Sequence, residues 1–353
     1  MSKKNWWIIG TGGIMGLLAV LLVHFGNPVN MGICVACFLR DTAGALGLDS
    51  ADKLQYIRPE LIGFVLGAFV LSLFRKEFQP TGGSSPLLRF VISFFVMIGA
   101  LVFLGCPLRM VLRLAGGDLN ALVGLMGFTA GILLGILFLK KGFSLGRSYS
   151  QPAVSGFVMP AIAAVLLVFL LVRPAFILFS SEGPGSMHAP VLISLAAGLV
   201  VGILAQRSRM CMAGGIRDLF LAKNGNMALG YVAIFAVALL GNILLGKFKL
   251  GFDGQPIAHT DVIWNFLGMA LVGYGSTLLG GCPLRQLIMA GEGNTDAGIS
   301  VLGLISGAAF AHNFGLAASA AGVPSSGKIA VLIGFAVLTL IALSTLRKKG
   351  AAN

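Results

Sequence analysis

Five residues occur twice: Gly105-Cys106-Pro107-Leu108-Arg109 recurs as Gly281-Cys282-Pro283-Leu284-Arg285, 176 residues further on (106 to 282). A second pair keeps nearly the same interval. Cys34-Val35-Ala36 with Arg40-Asp41 after it is matched by Cys211-Met212-Ala213 with Arg217-Asp218 after it. Proline suits the first turn of a helix, where its missing N–H would have no partner, so each Gly-Cys-Pro puts a sulfur at a helix N-terminus, after a glycine break. Unpaired amides and the positive end of the helix dipole favour an anion there, or lower the pKa of a thiol. The arginine three residues on lies one turn away and adds a fixed charge with a planar fork of donors. Sulfur and guanidinium side by side suit the handling of a small anion.

Each of these residues also has a plainer reading. A cysteine in an apolar stretch is commonly a small filler, and an arginine near a span end snorkels to the headgroups. A turn or burial requirement would keep glycine and proline through a duplication but need not keep cysteine and arginine. Ionisable groups inside membrane segments are costly and tend to mark a pathway. Asp41 and Asp218 are expected to pair with the neighbouring arginines or to cap a helix, with a direct substrate role as the alternative. Cys34-Val35-Ala36-Cys37 is a C-x-x-C, a spacing used by redox dithiols and by metal ligands. Gly214 stands where a second Cys37 would fall, and the four histidines are scattered, so no metal site and no bound cofactor are expected. Walker, dinucleotide-binding and His-Glu-x-x-His strings are absent from the sequence, which carries no sign of an ATP-driven engine or of an enzyme.

The elements that position these residues follow from composition. With 57% hydrophobic residues, 10% charged and a mean hydropathy of +0.95, the chain exceeds what a soluble globule of 353 residues can bury. Apolar runs of near-spanning length are expected over 6–25, 60–74, 87–104, 119–139 and 157–179. In the second half they cover 189–206, 227–245, 262–279, 297–318 and 329–346. Four short helices, each carrying a cysteine, fall between them: 33–48, the stretch from Cys106 to the Gly116-Gly117 stop, 208–222 and 281–290. The fold class is therefore an all-α polytopic membrane protein of about ten transmembrane helices plus four short re-entrant ones. It divides into repeats 1–180 and 181–353 that form one integral unit.

Five spans per half is odd, so the second half enters from the opposite side and the repeats are inverted, as in secondary transporters with broken helices and midplane sites. The net charge of +13 includes the basic excess of cytoplasmic loops. Lys3-Lys4, Arg75-Lys76, Lys140-Lys141-Arg147 and Arg347-Lys348-Lys349 fall together on one side, which predicts cytoplasmic N- and C-termini; Lys247 and Lys249 run against this. Met1-Ser2-Lys3-Lys4 leads into an apolar run too long for a cleavable signal, which is read as an anchor. Nucleic acid is not an expected partner, because there is no basic arm with interleaved aromatics.

Through Gly105 to Arg109, Gly281 to Arg285 and Ser208-Arg209-Met210-Cys211-Met212-Ala213-Gly214-Gly215, the chain resembles the YeeE/YedE membrane proteins associated with uptake of sulfur compounds, particularly thiosulfate. Its wording is closest to the YedE-type subset linked to selenium metabolism. The resemblance implies inverted halves, re-entrant helices meeting at a waist, and Cys34, Cys106, Cys211 and Cys282 lining the path of the ion. It also implies a bacterial inner-membrane location. Members often work with a small soluble sulfur-carrier protein; none is contained in this sequence, so a carrier would be a separate chain. Arg40, Arg109, Arg217 and Arg285 are expected from their charge to hold the anion, with Cys37, Asp41 and Asp218 as accessories.

The expected function is an inner-membrane permease that conducts a small sulfur- or selenium-containing anion through a cysteine-lined waist, in contact with membrane lipid. Successive weak sites of soft sulfur suit conduction, and neutral thiols suit it better than thiolates, which would repel an anion. The alternative is a membrane thiol protein that accepts sulfur or selenium on Cys34 or Cys37 and passes it to a soluble carrier.

Overall fold

The computed structural model describes residues 3–346; the side chains of Lys3 and Lys4 and the cluster 347–349, both counted above toward orientation, lie outside the described residues. The first half comprises α1 (Lys3–His24), α2 (Val35–Ala45), α3 (Pro59–Phe74), α4 (Pro86–Phe103), α5 (Pro107–Ala115), α6 (Leu119–Lys140) and α7 (Ala153–Val172). The second comprises α8 (Val191–Ser208), α9 (Met212–Leu221), α10 (Asn226–Leu244), α11 (Val262–Leu279), α12 (Pro283–Gly291), α13 (Thr295–Asn313) and α14 (Ser325–Ser344). Each half runs long, short, long, long, short, long, long. Among the described residues eight helical stretches are long and apolar enough to cross a membrane, so the chain is an all-α multi-pass membrane protein.

Proline and left-handed residues set the ends of several helices. The expected fifth span ran to 179, but α7 stops at Val172 because Arg173 takes a left-handed conformation (φ 51°) just before Pro174, and a residue preceding proline is disfavoured in a helix. Likewise the span expected to reach 318 ends at Asn313, followed by Gly315 at φ 61°. α14 starts at Ser325, directly after Pro324, rather than at 329.

Packing partners exchange between the halves. α1 lies on α10 as α8 lies on α3, α6 lies on α11 as α13 lies on α4, and α5 meets α10 as α12 meets α3. α4 and α11 pack on each other at the centre. This is the pattern of a pseudo-two-fold relation. The senses of the helices oppose: Asn27, just past α1, accepts the amide of Ala189, just before α8, at 2.9 Å, so α8 begins on the face where α1 ends. The last helices depart from the exchange, α7 lying on α3 and α12 but α14 on α4 and α11.

Small residues allow the close approaches. A Cβ on Gly131 of α6 would fall 1.9 Å from the Ala270 carbonyl oxygen of α11, so these backbones touch, the device of small-residue stripes in membranes. On the face where α1 begins, Thr81–Gly82 (β1) pairs antiparallel with Tyr149–Ser150 (β2). Asp296 at the start of α13 ties the adjoining loops, accepting Gly83 N–H at 3.0 Å and the hydroxyls of Ser84 and Ser148 at 2.5 and 2.9 Å. Loops of both halves are thereby tied together on that face.

Candidate functional site

The four cysteines shared by the repeats are N-caps of the four short helices: Cys34 of α2, Cys106 of α5, Cys211 of α9 and Cys282 of α12. Pro107 and Pro283 occupy the first helical turn as their spacing predicts. All five cysteines of the chain are free and buried.

They gather as two pairs, one within each half. The Cys34 thiol is hydrogen-bonded with Cys106 and with Cys37, whose sulfur lies 2.6 Å away, and accepts the Cys37 amide at 3.3 Å. The Cys106 sulfur lies near the amides of Arg109, in its own helix, and Ala36, in α2, without a capping hydrogen bond of its own. In the second half Cys211 and Cys282 share a thiol hydrogen bond, and the Cys211 sulfur takes the amides of Gly214 and Cys282, both at 3.3 Å. The Cys282 sulfur lies near the amides of Arg285 and Met212, likewise without a capping hydrogen bond of its own. Cys106, Cys211 and Cys282 thus each sit against two helix N-termini, their own helix's and that of the second short helix of the same half. Two converging positive dipole ends at a soft atom make a place where a passing anion is stabilised without a full charge.

The arginines divide. Arg40 pairs with Asp41 at 2.6 Å, and the other oxygen of Asp41 takes Arg58 at 2.7 Å. Arg217 pairs with Asp218 at 2.8 Å, and Arg285 with Glu292 at 3.1 Å. The two aspartates therefore do what their sequence positions suggested. Arg109 is different. Fully buried, it donates to the carbonyls of Asn30 (3.2 Å), Leu104 (2.5 Å) and Ile257 (3.3 Å) and to the Cys37 sulfur (3.4 Å). Among the described residues it forms no ion pair, so its charge is left over beside the first cysteine cluster. Two arginines on one aspartate leave a second positive charge over at Arg40 and Arg58.

Several participants lay outside the sequence reading. Arg58 joins Asp41 across the link between α2 and α3 and donates to Pro184 and Met187 carbonyls at 2.8 and 3.0 Å. Arg113, one turn beyond Arg109, is buried on Asp118 at 2.7 Å and over the Phe103 ring; its spacing from Arg109 was the available signal. Glu60 is fully buried, with one carboxylate oxygen bonded to Asn27 (2.8 Å) and Ser194 (3.0 Å) and the other without a partner. On the face where α1 begins, a cavity of about 330 Å³ is lined by Glu77, Arg207, Ser208, Arg209, Asp218 and Met227 among others. A Cβ on Gly214 would touch both Met227, which lines this cavity, and Cys211, so the vestibule lies close to the second cysteine pair.

Comparison with known proteins adds a lineage. Residues 207–348 match the family model described as "Sulphur transport". Thiosulfate transporter TsuA of Escherichia coli strain K12 is 28% identical over 107 residues, 30% of this chain and 30% of that one. The protein of the same name from Spirochaeta thermophila is 30% identical over 108 residues, 31% of this chain and 32% of its own. Probable transporter YedE of Salmonella typhimurium is 27% identical over 113 residues, 31% and 26%. The chain spans about a third of the length of these curated relatives. The resemblance to the YeeE/YedE proteins stands on these matches and on the cysteine motifs.

Proposed function

From a membrane chain similar to sulfur-transport proteins, and with two relatives named as thiosulfate transporters, we propose an inner-membrane permease for a small sulfur-containing anion. Thiosulfate is the first substrate to try and a selenium anion the second. The observation that carries this reading is the repeated pairing of buried cysteine sulfurs at converging helix N-termini. On this reading Cys34, Cys106, Cys211 and Cys282 line the path and repeats 1–180 and 181–353 face opposite sides. The surplus charges at Arg109 and at Arg40 with Arg58 draw the anion to the first pair. Arg217 and Arg285, already paired, hold it weakly enough on the other side to let it go. The basic residues on the face where α1 begins make that face cytoplasmic.

The 2.6 Å approach of Cys34 and Cys37 favours one second reading, a thiol protein that hands sulfur to a separate carrier. In it a deprotonated cysteine attacks the outer sulfur of thiosulfate, a cysteine persulfide forms as the S–S bond of thiosulfate breaks, and sulfite leaves with the electron pair. The two readings separate in one experiment: purified protein in liposomes is given thiosulfate labelled in its outer sulfur. Label accumulating in the lumen, with no adduct by intact mass, supports the permease. A mass gain of one sulfur, removed by dithiothreitol, with no lumenal label, supports the thiol protein and overturns the permease.

A further inference from the structure

The waist contains a polar group that the cysteines and arginines do not use. Tyr231 of α10 is 5% exposed, and its hydroxyl has no hydrogen-bond partner. Its ring does not lie in an apolar recess alone, because the thiols of Cys282, Cys211 and Cys106 are all within electrostatic reach of it. Those three belong to both repeats. α10 is the long helix that packs on both α5, which carries Cys106, and α9, which carries Cys211.

The backbone restricts where this side chain points. A Cβ on Gly12 of α1 would fall 2.1 Å from the Gly230 carbonyl oxygen, so α1 and α10 are in backbone contact at the residue before Tyr231. The next residue along a helix is turned by about 100°, which carries Tyr231 off the α1 contact. An unmade hydrogen bond from a buried hydroxyl costs roughly 1–3 kcal/mol, and such a group in a native interior needs an explanation.

We propose that the Tyr231 hydroxyl is a selectivity donor of the waist, giving its hydrogen bond to an oxygen of the passing anion while the anion's sulfur lies against the cysteines. The inference rests on the permease reading. It assigns the two ends of a sulfur oxyanion to two kinds of group: soft sulfurs for the sulfur end and a phenolic O–H for the oxygen end. A soft anion with neither an oxygen nor a nitrogen acceptor gains little from Tyr231.

The test compares intact protein with Tyr231→Phe, which keeps the ring, in liposome uptake of thiosulfate and in competition by iodide, a soft anion with neither oxygen nor nitrogen. The expected result is a thiosulfate KM raised about tenfold, the scale of one hydrogen bond to a charged group, with the iodide inhibition constant within twofold of the unaltered protein. An unchanged thiosulfate KM, or a tenfold loss for both anions, overturns the assignment. If Tyr231→Phe does not fold, 3-fluorotyrosine at position 231 of the otherwise unaltered protein reports by 19F resonance; a shift with thiosulfate and none with iodide supports the proposal, and no shift with thiosulfate, or an equal shift with both, overturns it. Absence of thiosulfate uptake by the unaltered protein sinks the permease reading instead, and this inference falls with it.

Discussion

The amide of Cys282 points at the sulfur of Cys211, 3.3 Å away, so the N-terminus of one short helix is capped by the cysteine that begins the other. The same sulfur caps its own helix through the Gly214 amide at 3.3 Å. Cys211 therefore has a structural duty as an acceptor, apart from any contact with a substrate. Cys211→Ala should lower stability by about 1 kcal/mol, the usual cost of a lost cap. Cys211→Ser keeps an acceptor at the cap and should stay near the unaltered protein in thermal unfolding, yet lose transport because its oxygen is hard where sulfur is soft. Equal transport by Cys211→Ser and the unaltered protein would count against a sulfur-specific path.

Asp41 is the only carboxylate among the described ion pairs of Arg40 and Arg58, at 2.6 and 2.7 Å. All three side chains are buried. Removing the shared partner of a buried pair strands the remaining charges, at a cost of about 3–5 kcal/mol. Asp41→Asn should therefore unfold at a markedly lower temperature in detergent, while Asp218→Asn, whose pair with Arg217 is 28% exposed on both sides, should change little. Similar melting of both variants would contradict the sharing of Asp41 by two buried arginines.

Glu77, in the loop after α3, is held below the usual carboxylate range by the Gln206 amide at 2.8 Å and then by Arg75 at 3.0 Å. A carboxyl with a lowered folded pKa contributes stability that is complete above its unfolded pKa, about 4.5, and is lost as pH falls through the lower folded value. Thermal unfolding followed from pH 7 downward should show this loss in the unaltered protein, with a shallower acid limb in Glu77→Gln. Superimposable limbs would mean that the carboxyl is not tied down in the folded protein.

Much of the frame is legible because it is local. Apolar runs and prolines mark the long helices, and two of the four cysteine caps, Cys106 and Cys282, follow from glycine, cysteine and proline in adjacent positions. The pairing of Arg40 with Asp41 and of Arg217 with Asp218 follows from adjacency. What escaped depends on distance along the chain. Arg58 reaches Asp41 across the link 46–58, and Glu292 meets Arg285 from the far end of α12. Tyr231 sits in an apolar helix where an aromatic looks like filler; only the packing of α10 on both cysteine helices singles it out. The ends at Val172 and Asn313 were overrun because the apolar stretch continues beyond the backbone break. That the sulfurs meet within each half, Cys34 with Cys106 and Cys211 with Cys282, is a consequence of tertiary packing that spacing does not encode.

On the permease reading the anion passes the sulfurs of both repeats. The most direct test is initial-rate uptake of labelled thiosulfate into liposomes by the unaltered protein, Cys106→Ala and Cys282→Ala, each checked as monodisperse and of unchanged helix content. A cysteine-lined path predicts saturable uptake that falls at least tenfold in each single variant, because each removes one of two successive sites. Uptake at the unaltered rate in either folded variant would contradict the path through the waist.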